Sequence, residues 1–434
     1  MSDPPPPSRP SSERPAVALP VDRAWYREVL VAAVVVGAIV GLLALGYLGA
    51  TGVLSDVVFG DPQIEAWSGE WWWIPYTAAG GVVVAALRHR WKVAEKVPGG
   101  VEVIQSGAVD HRVAPSWVAV AFVSAVVGAS LGPSFALVVM GGGLGAWVAS
   151  RRWPGNEEAR LDATMAGVAG GFGGAFTAPV LGTMIVSELA PTPRARYVEA
   201  LVPQLIAAAL AFTVYFGAVG STFLNSFAIP VEDFSLWHLA AGVAFGVAST
   251  VVLVVFVVIV RLAQVAMGKL PNRYLRGFLG GAIVGAIAAA LPLTIGAGND
   301  QLTAVIEDSS SIGAGLLLAV VLGKMVAVAV SLSTGFVGGN VLPMLFVGGT
   351  AGAAVHVLVP DVPYAIAVGS MMGAVPGAFI RAPIGLTFLV ALTVGFGPLT
   401  GIPVALSIIT SHLLTAALQA VIRARRIAEP EIPA

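Results

Sequence analysis

Residues 127–148 read V-G-A-S-L-G-P-S-F-A-L-V-V-M-G-G-G-L-G-A-W-V, an apolar stretch the length of a membrane span but interrupted by Gly128, Gly132, Pro133 and the run Gly141 to Gly143. In hydrocarbon every backbone N–H and C=O has to find a partner inside the protein. An interruption at membrane depth therefore persists only where it is buried or lines a cavity. Pro133 suits the first turn of a helix, where a missing amide costs nothing. Ala129 to Gly132 would then lead into a helix whose N-terminus carries free amides and about half a positive charge, a setting that favours an anion.

The arrangement occurs twice. Residues 335–354, G-F-V-G-G-N-V-L-P-M-L-F-V-G-G-T-A-G-A-A, again place glycines ahead of a proline, Pro343, followed by a short apolar run and a glycine cluster. The sequels match as well: G-A-F-T-A-P-V-L-G-T-M-I-V-S-E from Gly174 and G-A-F-I-R-A-P-I-G-L-T-F-L-V-A from Gly377. The chain reads as a duplication, and glycine- and proline-interrupted apolar segments in corresponding positions point to a substrate site between two repeats. The plainer alternative is that the glycines only let membrane helices pack closely.

Composition fixes the class. Of 434 residues, 57% are hydrophobic and 11% charged, with 52 glycines, so the chain is expected to be an all-α polytopic membrane protein. With no cysteine, five scattered histidines and no phosphate-binding G-x-x-x-x-G-K-[ST] motif, neither enzyme chemistry, a cofactor, a metal nor ATP-driven pumping is expected. No basic run with interleaved aromatics suggests nucleic acid.

Charge placement sets an orientation. Arg88, His89, Arg90, Lys92 and Lys96, then Arg151 and Arg152, then Arg261, Lys269, Arg273 and Arg276, mark cytoplasmic loops by the positive-inside rule. Glu232, Asp233, Asp300, Glu307 and Asp308 lie in the opposite loops, so both termini are expected in the cytoplasm of a cell-membrane protein. Residues 1–22, rich in Pro, Ser and Arg, read as a disordered tail. A membrane domain is expected over 23–426, with repeats at approximately 75–230 and 270–424, then a short tail at 427–434 and no cytoplasmic regulatory domain. The apolar blocks have mixed lengths, which suits tilted and re-entrant helices. Residues 98–108, P-G-G-V-E-V-I-Q-S-G-A, are too short and polar to span and read as a glycine loop opening a partial helix, with Glu102 in its first turn.

G-G-V at Gly99, S-L-G-P at Ser130, A-P-V-L-G-T at Ala178, G-G-N-V-L-P at Gly338 and I-R-A-P at Ile380 together resemble the CLC chloride channels and transporters, over nearly the whole chain after Asp22. The resemblance implies a CLC-type inverted repeat of tilted and re-entrant helices. It also implies a homodimer in the lipid bilayer, with one anion pathway per subunit and helix N-termini aimed at dehydrated chloride. Lys324 matches a basic residue that the family often places there and is given no separate role.

The departures from the family pattern carry as much information. The family's G-R/K-E-G-P glutamate, which blocks the outer pore, is Leu131 here. The serine of its G-S-G-I-P loop falls on Gly99, that loop's proline on Glu102, and the phenylalanine of G-x-F-x-P on Val341. The inner proton-relaying glutamate falls on Leu189, with Glu188 just before it, and the inner tyrosine has no equivalent between Phe396 and Ile402.

The expected anion site is therefore Gly99, Gly100, Val101, Ser130, Leu131, Gly132, Asn340 and Val341, with Leu131 at the gate position. Ser130 and Asn340 either add side-chain donors or serve as helix caps. Leu131 carries no proton and does not compete with chloride for amides, so passive, uncoupled transport of chloride or a similar small anion is expected. Two alternatives stay open. One is a proton-coupled antiporter using Glu102 or Glu188, residues that otherwise read as a first-turn helix residue and an interface residue; the other is a CLC-like subunit that no longer conducts.

Overall fold

The computed structural model describes residues 23–176, 178–220, 226–227, 229 and 233–428, so the expected N-terminal tail, Glu232 and most of the C-terminal tail lie outside the described residues. The chain forms helices α1 (Ala24–Phe59), α2 (Trp73–Arg90), α3 (Gly100–Ser106), α4 (Ala114–Val126), α5 (Ser134–Arg152), α6 (Glu157–Ala175), α7 (Pro179–Leu189) and α8 (Tyr197–Val219). It continues with α9 (Trp237–Gly268), α10 (Arg273–Ala290), α11 (Asn299–Ile312), α12 (Ala314–Thr334), α13 (Val341–Leu358), α14 (Tyr364–Gly377), α15 (Pro383–Val394) and α16 (Pro398–Ala428). Among the described residues, seven helical segments are long and apolar enough to cross a membrane, while α4, α7, α14 and α15 are apolar but shorter, in line with the mixed block lengths of the sequence.

Local chemistry sets several boundaries. The Asn156 side chain accepts the Ala159 amide at the start of α6, and that of Asn272 accepts the Tyr274 and Leu275 amides at the start of α10. Pro179 and Pro383 open α7 and α15, so the two A-P motifs mark the same kind of helix start. Gly335 ends α12 with φ 105°, a conformation that a residue with a Cβ rarely adopts.

The packing shows the duplication directly. In the first half, Gly37 and Gly41 of α1 touch Ala207 and Ala211 of α8, so the two helices run in the same direction. In the second, Gly242 and Gly246 of α9 touch Pro403 and Ser407 of α16 with the same sense. Likewise Gly141 and Gly145 meet Gly167 and Ala163 across the antiparallel pair α5 and α6, and Gly348 and Gly352 meet Met371 and Ala367 across the antiparallel pair α13 and α14. With no hydrophobic drive between helices in lipid, close backbone approach at such small residues is what holds them together.

The counterparts α2 and α10 pack on each other. Ile74, Thr77 and Gly81 lie against Gly285, Gly281 and Gly277, so equivalent helices run in opposite directions and the two halves are inverted. The Thr77 hydroxyl adds a 2.7 Å bond to the Gly281 carbonyl across this joint. α1 and α9, which precede the expected boundaries near 75 and 270, pack on α8 and α16 respectively. Those helices are plain apolar runs whose match lies in packing and not in any motif.

Candidate anion site

The two broken stretches meet at the centre of the molecule. Gly132 donates its amide to the Gly339 carbonyl at 2.7 Å, and Gly339 returns the bond at 2.8 Å, an isolated antiparallel pair that joins the two halves. Just inside it lies a small cavity, about 20 Å³, lined by Gly100 and Val101 of α3, Asn340 and Val341 at the start of α13, and Ser134 of α5. Phe172, Ile185, Ile380 and Leu386 close it with apolar walls. The space is that of a single water-sized occupant.

Helix geometry leaves donors here. The first intrahelical donor of α3 is Val103, bonded to the Gly99 carbonyl at 3.0 Å, so the Gly100 and Val101 amides have no partner within the helix. In α13 the first donor is Met344, bonded to the Asn340 carbonyl at 3.1 Å, which leaves the Val341 amide in the same condition. Two helix N-termini thus add their partial positive charge at one apolar-walled point with no titratable side chain on its lining.

The other residues of the set expected from the sequence have their amides engaged within the protein. Gly99 gives its amide to the Glu102 carboxylate at 3.2 Å, and Leu131 gives its own to the Ala129 carbonyl at 2.7 Å. Gly132 is committed to Gly339. The Ser130 amide reaches the Ser331 hydroxyl at 3.3 Å, and the Ser130 hydroxyl donates to the Thr294 carbonyl at 3.1 Å, so Ser130 neither caps a helix nor faces the cavity. The reason is general: a loop at membrane depth must satisfy its own polar groups, and only first-turn amides are left over. Asn340 occupies the N-cap position of α13 without a side-chain capping bond.

Outside the glycine bridge a wider vestibule of about 700 Å³ is lined by Leu131, Ser134, Leu342, Asp56, Asp61 and Asp300. Ser134 lines both spaces. Sequence reasoning missed it, although a hydroxyl directly after Pro133 in an apolar run was a usable signal. Leu131 is buried at 3% exposure with its Cβ against Gly338. In the vestibule, burial holds the Asp300 carboxyl above the usual range, and the Asp56 carboxylate adds to the effect.

Lys324 has a role that the sequence did not reveal. Fully buried, its Nζ donates to the carbonyls of Thr294, Ile295 and Gly296 at 3.1, 3.3 and 2.7 Å and lies 5.1 Å from the Phe346 ring centroid. It fixes the vestibule loop whose Thr294 carbonyl holds Ser130.

The two carboxylates considered for proton handling are both engaged at helix starts. Glu188 accepts the Ile384 and Gly385 amides at 3.1 and 2.7 Å and so caps α15, while Glu102 accepts the Gly99 amide at the start of α3. Neither lines the central cavity; Leu189, next to Glu188, does. Among the described residues no cluster of His, Asp and Glu could hold a metal ion.

Comparison with known proteins agrees with this architecture. The family described as voltage gated chloride channel matches residues 80–416. The chloride/fluoride channel protein of Pseudomonas syringae pv. tomato is 29% identical over 321 residues, 71% of this chain and 67% of that protein. The H(+)/Cl(-) exchange transporter ClcA of Vibrio cholerae is 29% identical over 283 residues, 61% of this chain, which spans only 59% of that relative's length. The crystal structure of a slow cyanobacterial Cl-/H+ antiporter shares the fold with TM-score 0.78 at 22% identity, covering 93% of this chain and 98% of that one.

Proposed function

The chain belongs to the voltage gated chloride channel family, whose members are multi-pass membrane channels and transporters and not enzymes, and from this premise we propose that it passes chloride or a similar small anion passively, without moving protons. The observation that carries the proposal is the lining of the central cavity, which holds amide-bearing helix starts and apolar walls but no titratable side chain. A dehydrated anion there would face the amides of Gly100, Val101 and Val341, with Asn340 beside it and the Ser134 hydroxyl on its outer side. Leu131, in the vestibule wall, replaces a charged gate with an apolar constriction.

A coupled mechanism is the second reading, favoured by the exchanger name of the Vibrio relative. It would need Glu188 or Glu102 to leave the amides it now accepts. Against the non-conducting alternative, Ser134 lines both vestibule and cavity, which places the two spaces side by side. We further propose a homodimer in the cell membrane with both termini cytoplasmic, as the basic loop ends favour. Simultaneous chloride and proton recording from proteoliposomes tests the central reading: chloride release without proton movement supports it, and uphill proton transport contradicts it.

A further inference from the structure

A second polar cavity, about 410 Å³, lies where the ends of α2, α10 and α12 converge, lined by Arg88, Glu95, Arg273, Arg276, Ser333 and Gly335 among others. Three guanidinium groups face it against a single carboxylate. Glu95 meets Arg276 at 3.2 Å, but its side chain is 84% exposed, and an ion pair so placed contributes little. Arg276 also keeps its Nε buried without an acceptor. The Arg273 guanidinium approaches His89 Nδ1 at 3.2 Å.

Arg88, in contrast, is engaged at both terminal nitrogens. One of its terminal nitrogens donates to the Gly335 carbonyl at 2.7 Å, the other to the Ala94 and Glu95 carbonyls at 2.6 and 2.8 Å. It therefore staples together the loop that runs into α3 at Gly100 and the loop that runs into α13 at Val341, the two helix starts of the central cavity.

We propose that this cavity binds a phosphate-bearing anion, either a lipid headgroup or a free phosphate compound, through Arg273 and Arg276. Planar guanidinium forks match phosphate oxygens in pairs, and paired arginines with unused donors are suited to that geometry. The volume suits a polyatomic anion and not a lone halide, and a basic pocket between helix ends on the proposed cytoplasmic side is where a headgroup would reach. An occupant would lie against the Arg88 staple. The site does not depend on whether the central cavity conducts.

Two binding measurements on the full-length protein test the proposal. In the first, inorganic pyrophosphate is titrated calorimetrically into detergent-solubilised protein. In the second, native mass spectrometry compares retention of phosphatidylglycerol and phosphatidylcholine. The double variant Arg273→Gln, Arg276→Gln should weaken whichever ligand binds by about tenfold, while Arg90→Gln with Lys92→Gln, which removes equal charge outside the cavity, should change it less than about twofold. Pyrophosphate binding lost in the first variant identifies a free phosphate compound; selective loss of phosphatidylglycerol alone identifies a headgroup. Absence of both, or equal weakening in the two double variants, overturns the proposal. An unchanged melting temperature establishes that each variant is folded.

Discussion

Gly132 and Gly339, from corresponding broken stretches of the two halves, hold each other by a reciprocal pair of backbone hydrogen bonds at 2.7 and 2.8 Å. This bridge fixes how the start of α5 faces that of α13, and it consumes the Gly132 and Gly339 amides, which are therefore not left over for a ligand. A Cβ on Gly339 would collide with the Ser134 hydroxyl and stand 3.0 Å from the Phe135 amide nitrogen. Gly339→Ala should therefore lower stability by about 1–3 kcal/mol, seen as a lower melting temperature, and slow anion efflux. A variant that melts and transports like the parent would show that the junction yields freely.

Leu131→Glu should slow chloride efflux by roughly tenfold at neutral pH, because a carboxylate at the vestibule floor competes with the anion for positive potential. Acidification neutralises the new carboxyl, so the rate should recover toward that of the parent as pH falls. Efflux assays at several pH values read both effects, and an unchanged rate would place Leu131 off the route.

Glu188→Gln separates capping from proton handling. The amide keeps one acceptor of the two that now serve Ile384 and Gly385, so the cost should be about 0.5–1 kcal/mol in stability. Chloride flux should keep the same dependence on pH as in the parent protein. Loss of a proton-linked flux in this variant would make Glu188 a transport residue.

Asp300 supplies a pH dependence without proton transport. Its carboxyl is held high by burial and by Asp56, so on acidification it takes up a proton before an ordinary aspartate does. One negative charge then leaves the vestibule, and anions entering from that side meet less repulsion. Uptake should rise about two- to threefold as pH falls, beginning above the range in which an ordinary aspartate titrates. Asp300→Asn should be fast and flat over the same range; if it shows the same slope as the parent, the titrating group lies elsewhere.

Much of the architecture was legible in the sequence because breaks in membrane helices are chemically expensive and therefore conspicuous. Pro133 and Pro343 with their flanking glycines, and the paired A-P starts of α7 and α15, announced both the duplication and the place where the halves meet. What the sequence did not reveal depends on partners far along the chain. Glu188 reaches amides 196 and 197 positions away, the Ser130 hydroxyl a carbonyl 164 positions away, and Lys324 the loop around Ile295. No local pattern shows which backbone donors such contacts consume. That is why eight residues read as anion ligands resolve into four on the cavity and four whose amides are satisfied within the protein.

The central claim is that the pathway moves an anion and no proton. Purified protein in liposomes loaded with chloride, with voltage clamped by a potassium ionophore and chloride and pH electrodes read together, tests it most directly. The cavity lining predicts chloride release with a flat proton trace, unaltered by an imposed pH gradient except through the vestibule effect on rate. Protons driven uphill in fixed ratio to chloride would contradict the account and turn attention to Glu188 and Glu102.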